Sequence, residues 1–159
     1  MIYKIRPAHL KDCQLVSKMI TECAQKEGIM LPKTPQQIME NLSNFFVAEI
    51  QGQTIACCGY KIWVNAWAEI ISLYTSAPFR HLGIGAQLLK ECIDKARSQG
   101  FQKIFTLTFK PDWFSKRGFR QVNIDELPHK IWGDCAYCPK NAAGPGDVKC
   151  DEVPMVLVD

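Results

Sequence analysis

Arg80-His81-Leu82-Gly83-Ile84-Gly85-Ala86 is the stretch of this chain best suited by residue type and spacing to hold an anion. It follows Ala68-Glu69-Ile70-Ile71-Ser72-Leu73-Tyr74-Thr75, which is rich in β-branched and aromatic residues and reads as a strand. After it, Ile84, Leu88, Leu89, Cys92, Ile93 and Ala96 recur at helical spacing, and Gly100 supplies a stop. A glycine turn between strand and helix bares backbone N–H groups at the positive end of the helix, where a phosphate can be held. Glycine there allows close approach to the main chain. A helix that simply begins after a turn fits the same two glycines. No Gly-Lys-Ser/Thr follows, so this is not a Walker loop, and the third glycine of a dinucleotide fingerprint is missing.

A second cluster lies near the C-terminus. Cys135-Ala136-Tyr137-Cys138, with Cys150 and the upstream His129, has the residue types of a structural zinc set. Three reduced cysteines, some packed as small hydrophobes, are the other reading. Nothing thioredoxin-like surrounds the pair, which argues against redox work. Cys57-Cys58 falls within a strand, so one thiol should face each side of a sheet, as packing only.

The elements that would position these residues follow from periodicity. Residues 1–6 alternate as a first strand, and Leu10, Cys13, Val16, Ile20 and Cys23 form the inward stripe of a helix ended by Gly28. Thr34-Pro35-Gln36-Gln37 starts a second helix that finishes near Leu42: Thr as N-cap, Pro at the first position, Gln three residues after the cap. Residues 45–50, the turn Gln51-Gly52 and residues 54–63 make a hairpin, and the strand with Glu69 comes next. Beyond the central helix, residues 103–108 read as a buried strand and 111–117 as a short helix closed by Gly118. Residues 119–124 and 153–158 read as the last strands.

With 159 residues, the chain suits one domain (1–159), with a cysteine-containing loop at 129–152. A net charge of +3 does not demand nucleic acid and would suit anionic small molecules equally well. No apolar run reaches membrane-spanning length, and the start lacks a signal peptide's apolar block. Eight cysteines without an export signal then point to reduced thiols and a cytoplasmic location.

Arg-x-x-Gly-x-Gly/Ala, after a strand ending in an aliphatic–aromatic pair and a Pro-containing turn, resembles the acetyl-CoA pyrophosphate loop of the GNAT acetyltransferases. The element order β-α-α-β-β-β-α-β-α-β-β is also that of a GNAT fold. The resemblance implies an α/β (α+β) architecture: a central mixed, mostly antiparallel twisted sheet of six to seven strands, flanked by four helices. It narrows further through Phe105-x-Leu107-Thr108-Phe109-Lys110-Pro111-x-x-Phe114, Gly118-Phe119-Arg120, Glu126-Leu127-Pro128-His129-Lys130-Ile131-Trp132-x-Asp134-Cys135-x-x-Cys138-Pro139 and Cys150-Asp151-Glu152. Together these resemble the short, stand-alone amino-acid N-acetyltransferase, the N-acetylglutamate synthase of arginine biosynthesis. No amino-acid-kinase segment accompanies them in this sequence, so arginine control through such a domain is not expected.

The resemblance implies attack of glutamate's α-amine on the thioester of acetyl-CoA, by direct transfer in a ternary complex. The amine must lose a proton, the carbonyl oxygen must be stabilised and the thiolate must leave. The family places a strand backbone N–H beside the thioester, and the matching region is Leu73-Tyr74-Thr75, where the strand is expected to splay from its neighbour. The diphosphate would sit on the N–H groups of Leu82, Gly83, Ile84, Gly85 and Ala86, next to His81, with Arg80 adding charge; a surface ion pair is the alternative for Arg80. Glu69 would be the base, through a water, or else a plain strand glutamate or ion-pair partner. A carboxylate base working near neutrality has to be buried. Many GNAT enzymes carry Phe-Tyr before Gly-Phe; here the pair is Trp113-Phe114, and Phe114 has no proton to give. The thiolate then leaves unprotonated, which its modest basicity permits, or Ser115 or Tyr74 serves as donor. Lys33 and Lys110 match basic positions that would hold the acceptor's carboxylates, with solvated surface lysines as the plain alternative.

Two competing readings remain. One is an acetyltransferase for another small amine or a protein N-terminus; the other is a non-catalytic acyl-CoA-binding module, for which the missing tyrosine argues. The expected partners are a small amino-acid substrate and, by analogy with the superfamily, a second copy in a homodimer.

Overall fold

A chain whose apolar residues alternate in some stretches and recur every three to four residues in others must cover a sheet with helices. The computed structural model, which describes residues 2–27, 32–127 and 152–158, does so with seven strands and four α-helices. In chain order they are β1 (Lys4–Pro7), α1 (Cys13–Glu27), α2 (Pro35–Glu40), β2 (Phe45–Ile50), β3 (Gln53–Trp63) and β4 (Trp67–Thr75). Then come α3 (Ile84–Ser98), β5 (Lys103–Thr108), α4 (Pro111–Ser115), β6 (Phe119–Gln121) and β7 (Val153–Leu157). The sheet order is β1-β2-β3-β4-β5-β7-β6. Only the β4–β5 pair is parallel.

Both faces of the sheet are covered. Ala48, Cys58, Tyr60, Ala68 and Ile70 pack against Ile84, Leu88, Leu89, Cys92 and Ala96 of α3. On the other face Val47 and Cys57 meet Cys13, Val16 and Ile20 of α1 and Ile38 of α2. The Cys57-Cys58 pair therefore divides between the two cores, as alternation requires. A smaller cluster of Phe105, Val122 and Leu127, with Trp63 and Trp67 against it, closes one end. Each fully buried aliphatic or aromatic side chain in these clusters contributes about 1.5–3 kcal/mol.

The Thr34 cap forms as its sequence demands: its hydroxyl accepts from Gln37 N–H, and the Gln37 side chain accepts from Thr34 N–H. Three expectations need correction. Leu10 is 65% exposed and sits in a 3-10 turn, Leu10–Asp12, so the inward stripe begins at Cys13. Asp12 takes its place inside, accepting from the Arg6 guanidinium at 2.8 and 3.0 Å and from His9 N–H at 2.6 Å. The second helix ends at Glu40, and Leu42 opens a 3-10 turn of its own. Residues 122–124 do not continue β6, because Asn123 caps a 3-10 turn, Ile124–Glu126, with Glu126 bonding back to its N–H.

The middle of the sheet divides. β4 pairs with β5 only over Trp67–Glu69 and Lys103–Phe105, after which β5 turns to β7. From Ile70 onward β4 keeps β3 alone. Its ladder with β3 is also interrupted: Cys57 faces Tyr74 and Gly59 faces Ile71, leaving Cys58 opposite both Ser72 and Leu73. Ser72 is left-handed there, with φ +56. A bulge of this kind re-aims the side chains after it. Ile70 and Leu73 consequently face the α3 core while Ile71 and Tyr74 face α1, a spacing that simple alternation cannot give.

Candidate active site

The gap left where β4 and β5 part is a cleft of about 740 Å³. Glu69 through Thr75 line one wall, Thr106 through Lys110 the other, and the start of α3 closes one end. The splay expected at Leu73-Tyr74-Thr75 is thus present, and its main chain fronts the cleft.

The turn before α3 is held by backbone conformation. His81 (φ +67) and Gly83 (φ +83) are both left-handed, and Gly83 caps α3 with no side-chain hydrogen bond. Its carbonyl accepts from Gln87 N–H at 3.2 Å. The first-turn amides have no carbonyl within the helix to bond, and the helix dipole adds positive potential to them. Gly83, Ile84 and Gly85 line the cleft beside Arg80 and His81. Leu82 points outward, 47% exposed, and neither its side chain nor Ala86 is among the lining residues. A Cβ on Gly85 would come 3.6 Å from Trp113 Cζ2 and 3.8 Å from Thr75 Oγ1, so the glycine keeps a narrow passage between two side chains.

Arg80 takes the ion-pair position. Its Nε donates to Thr75 O at 2.9 Å, and both terminal nitrogens reach Glu27 at the end of α1. The guanidinium also lies 5.6 Å from the centre of the Tyr74 ring. Burial pushes the Tyr74 hydroxyl above its ordinary value, with the Cys23 thiol adding to the rise and Arg80 opposing it. Tyr74 is therefore a proton-bearing group at the cleft wall.

Glu69 is buried, 4% exposed, and is one of the residues lining the cleft. It accepts from Trp63 Nε1 at 3.2 Å. Phe114 is buried too, edge-on to Trp113 at 4.9 Å and to Phe119 at 5.2 Å, so it walls the cleft with hydrocarbon. Ser115 is a correction: it lies on the exposed side of α4, outside the cleft, because Phe114 occupies the inward position of that single turn. Ser115 is not placed to serve as proton donor.

Lys33 and Lys110 both line the cleft: one precedes α2, the other is the N-cap residue of α4. Sequence reasoning missed four further charged lining residues, Lys61, Lys116, Arg117 and Glu152. Among the described residues the lining thus carries six lysines and arginines (33, 61, 80, 110, 116, 117) against two glutamates (69, 152). An anionic ligand is favoured by that balance. His129, Cys135, Cys138 and Cys150 lie outside the described residues; among the described residues no cluster of metal-ligating side chains occurs. No helix among them is long and apolar enough to cross a membrane.

Known proteins resemble this chain. The chain is 37% identical over 152 residues to an uncharacterised N-acetyltransferase of Chlorobaculum tepidum, covering 96% of this chain and 94% of that protein. It is 33% identical over 126 residues to the amino-acid acetyltransferase of Neisseria meningitidis, covering 78% of this chain but only 29% of that longer relative. Among solved structures, N-acetylglutamate synthase from Neisseria gonorrhoeae, complexed with coenzyme A and N-acetyl-glutamate, superposes with a TM-score of 0.84 at 28% identity. That match covers 99% of this chain and 35% of the synthase. The family match runs over residues 14–119, from α1 through the cleft and α3 to the first residue of β6, and the chain belongs to the acetyltransferase (GNAT) family.

Proposed function

We propose that this protein transfers the acetyl group of acetyl-CoA to the α-amine of an amino acid, with L-glutamate as the acceptor. The observation that carries the reading is the cleft itself: helix-start amides at one end, a buried carboxylate in the wall, and six cations against two carboxylates around it. The likeness to a synthase with coenzyme A and N-acetyl-glutamate supports it. Acting on glutamate, the enzyme would work in the cytoplasm, in arginine biosynthesis.

In this reading the diphosphate of acetyl-CoA accepts from the amides of residues 82–86, and Arg80 exchanges Glu27 for the ligand. The acyl carbon lies along Leu73 and Tyr74, whose main chain β5 has left open, and an N–H there stabilises the developing oxyanion. Glu69 takes one proton from the ammonium, directly or through one water, and the freed amine attacks the thioester carbon to form the C–N bond. The tetrahedral centre then collapses as the C–S bond breaks, the thiolate takes a proton from Tyr74, and the second amine proton returns to the Tyr74 oxygen through water. Lys33 and Lys110 hold the acceptor's two carboxylates as point charges. Bringing both substrates into one cleft lowers the barrier by several kcal/mol on its own.

Screening acetyl-CoA consumption across the twenty amino acids, with polyamines and an N-terminal peptide as controls, tests the reading. Glutamate should give the highest kcat/KM and a product identified as N-acetylglutamate. Preference for a polyamine or a peptide would overturn the acceptor assignment. Acetyl-CoA binding without turnover of any amine would overturn the catalytic one.

A further inference from the structure

The β3–β4 hairpin carries a contact that the acetyl-transfer reading does not use. Trp63 ends β3, Trp67 begins β4, and the two face each other across a tight turn, Val64–Ala66. Asn65 and Ala66 are both left-handed there, each with φ +63, which fixes the register of everything that follows. Lys61 faces Glu69 two residues further along. Trp63 and Glu69 are therefore diagonal neighbours on one face, a spacing that a large aromatic side chain can span. It does span it: the indole N–H donates to Glu69 Oε1 at 3.2 Å.

The indole is fixed from behind. It packs half-buried against the cluster of Phe105, Val122 and Leu127 and is not among the residues lining the cleft. The ammonium of Lys61, a cleft-lining residue, rests 4.6 Å from the centre of its ring. An indole has one donor and no acceptor, so this contact is met only when a carboxylate oxygen is turned toward it. With that oxygen engaged, rotation of the Glu69 carboxylate is restricted.

We infer that Trp63 is a positioning residue for acetyl transfer, its indole N–H fixing the rotamer of Glu69 in the cleft wall for proton transfer from the acceptor amine. The inference rests on Glu69 being the base, and it adds a residue that never touches substrate. It also gives Lys61 a place: the cation stacked on Trp63 lies beside the same carboxylate, across the ladder. A loosely held base loses the alignment on which proximity catalysis depends.

The test is a cycle of four proteins: wild type, Trp63→Phe, Glu69→Gln and the double variant, each with kcat, KM for acetyl-CoA and thermal midpoint. Trp63→Phe should lower kcat about tenfold with KM for acetyl-CoA within about twofold, and should lower kcat no further when Glu69 is already Gln. The same fractional loss in both backgrounds would overturn the inference, since Trp63 would then act through the fold alone. Wild-type kcat in Trp63→Phe, beside a large loss in Glu69→Gln, would overturn it while leaving Glu69 as base. Wild-type turnover in Glu69→Gln alone would instead remove the base assignment. If Trp63→Phe does not fold, replacing the indole by benzothiophene at position 63 keeps the ring area, deletes only the N–H, and is read by the same outcomes.

Discussion

Arg80 and Glu27 form a two-pronged ion pair: Arg80 Nη1 lies 3.1 Å from Glu27 Oε1 and Nη2 lies 3.2 Å from Oε2. One residue belongs to the turn before α3, the other to the last position of α1. The pair is about one-third exposed on each side chain, so as an ion pair it contributes about 0.2–1 kcal/mol. That is weak enough for a diphosphate to displace. Its bidentate geometry nonetheless keeps the guanidinium at the mouth of the anion site and stacked on Tyr74.

The competition between Glu27 and a ligand sets the first prediction. Arg80→Ala should raise the Kd for acetyl-CoA about tenfold, by removing one charge-assisted contact worth about 1.4 kcal/mol. Glu27→Gln should lower that Kd about two- to threefold, because the guanidinium no longer has to leave a partner. Calorimetric titration of both variants checks the pair. A weaker Kd in Glu27→Gln would mean that Glu27 holds Arg80 in its binding pose, the reverse of competition.

Gly83 and Gly85 separate backbone strain from ligand access. At Gly83 an added Cβ meets nothing within 4 Å, yet φ is +83. Gly83→Ala should therefore cost about 1 kcal/mol of stability through conformation alone. At Gly85 φ is ordinary and the passage between Trp113 and Thr75 is narrow. Gly85→Val should leave the thermal midpoint within a few degrees and raise the Kd for acetyl-CoA about tenfold or more, by covering the amides. Paired denaturation and binding measurements would refute this if the two effects fell on the opposite glycines.

What the sequence makes legible here is what local rules decide. The Thr34 cap, the Gln51-Gly52 hairpin and the amide turn each depend on residues within four or five positions, and each forms as read. The bulge at Ser72 is different. Nothing in Ile71-Ser72-Leu73 asks for a left-handed serine; the conformation is imposed by pairing with Cys57 and Gly59 on β3. The convergence of Lys61, Lys116 and Arg117 on one cleft likewise depends on how β3 and α4 are brought together across the sheet. Ser115 misled because a hydroxyl near Phe114 in sequence is not near it in space: one residue along a helical turn points elsewhere. Trp63 is invisible from the chain because its partner is set by register, six residues away around a turn with two left-handed non-glycine residues.

Buried thiols predict an alkaline limit to stability. Burial pushes the Cys57 thiol up from 9 to about 12, with Cys92 and Cys23 adding to the rise. In the unfolded chain the same thiol ionises near its ordinary value. Between those two pH values the unfolded state holds fewer protons than the native one, so stability falls as pH rises. It is fully retained below pH 9 and declines toward 12. Cys58 and Tyr60 are shifted in the same direction, both chiefly by burial. Urea denaturation at a series of pH values should show that decline, and Cys57→Ala should flatten its slope by about 1.4 kcal/mol per pH unit. An unchanged slope would remove Cys57 as a contributor.

Tyr74 is the donor proposed for the departing thiolate, since Phe114 has no hydroxyl and Ser115 is exposed and does not line the cleft. Burial keeps its hydroxyl protonated beyond the ordinary tyrosine range despite the nearby guanidinium. Tyr74→Phe keeps the ring over which Arg80 lies and deletes only the oxygen. General-acid assistance is worth about a hundredfold or more where the leaving group needs it. A coenzyme A thiolate is a modest base, so the loss in kcat should be smaller, about tenfold, with the Kd for acetyl-CoA within about twofold. A leaving group that must be protonated should also make kcat depend more steeply on thiol basicity in the variant than in the wild type. Pre-steady-state kinetics with acetyl-CoA and a less basic thioester analogue measures that dependence, and equal slopes in both proteins would show that the thiolate departs without help from Tyr74.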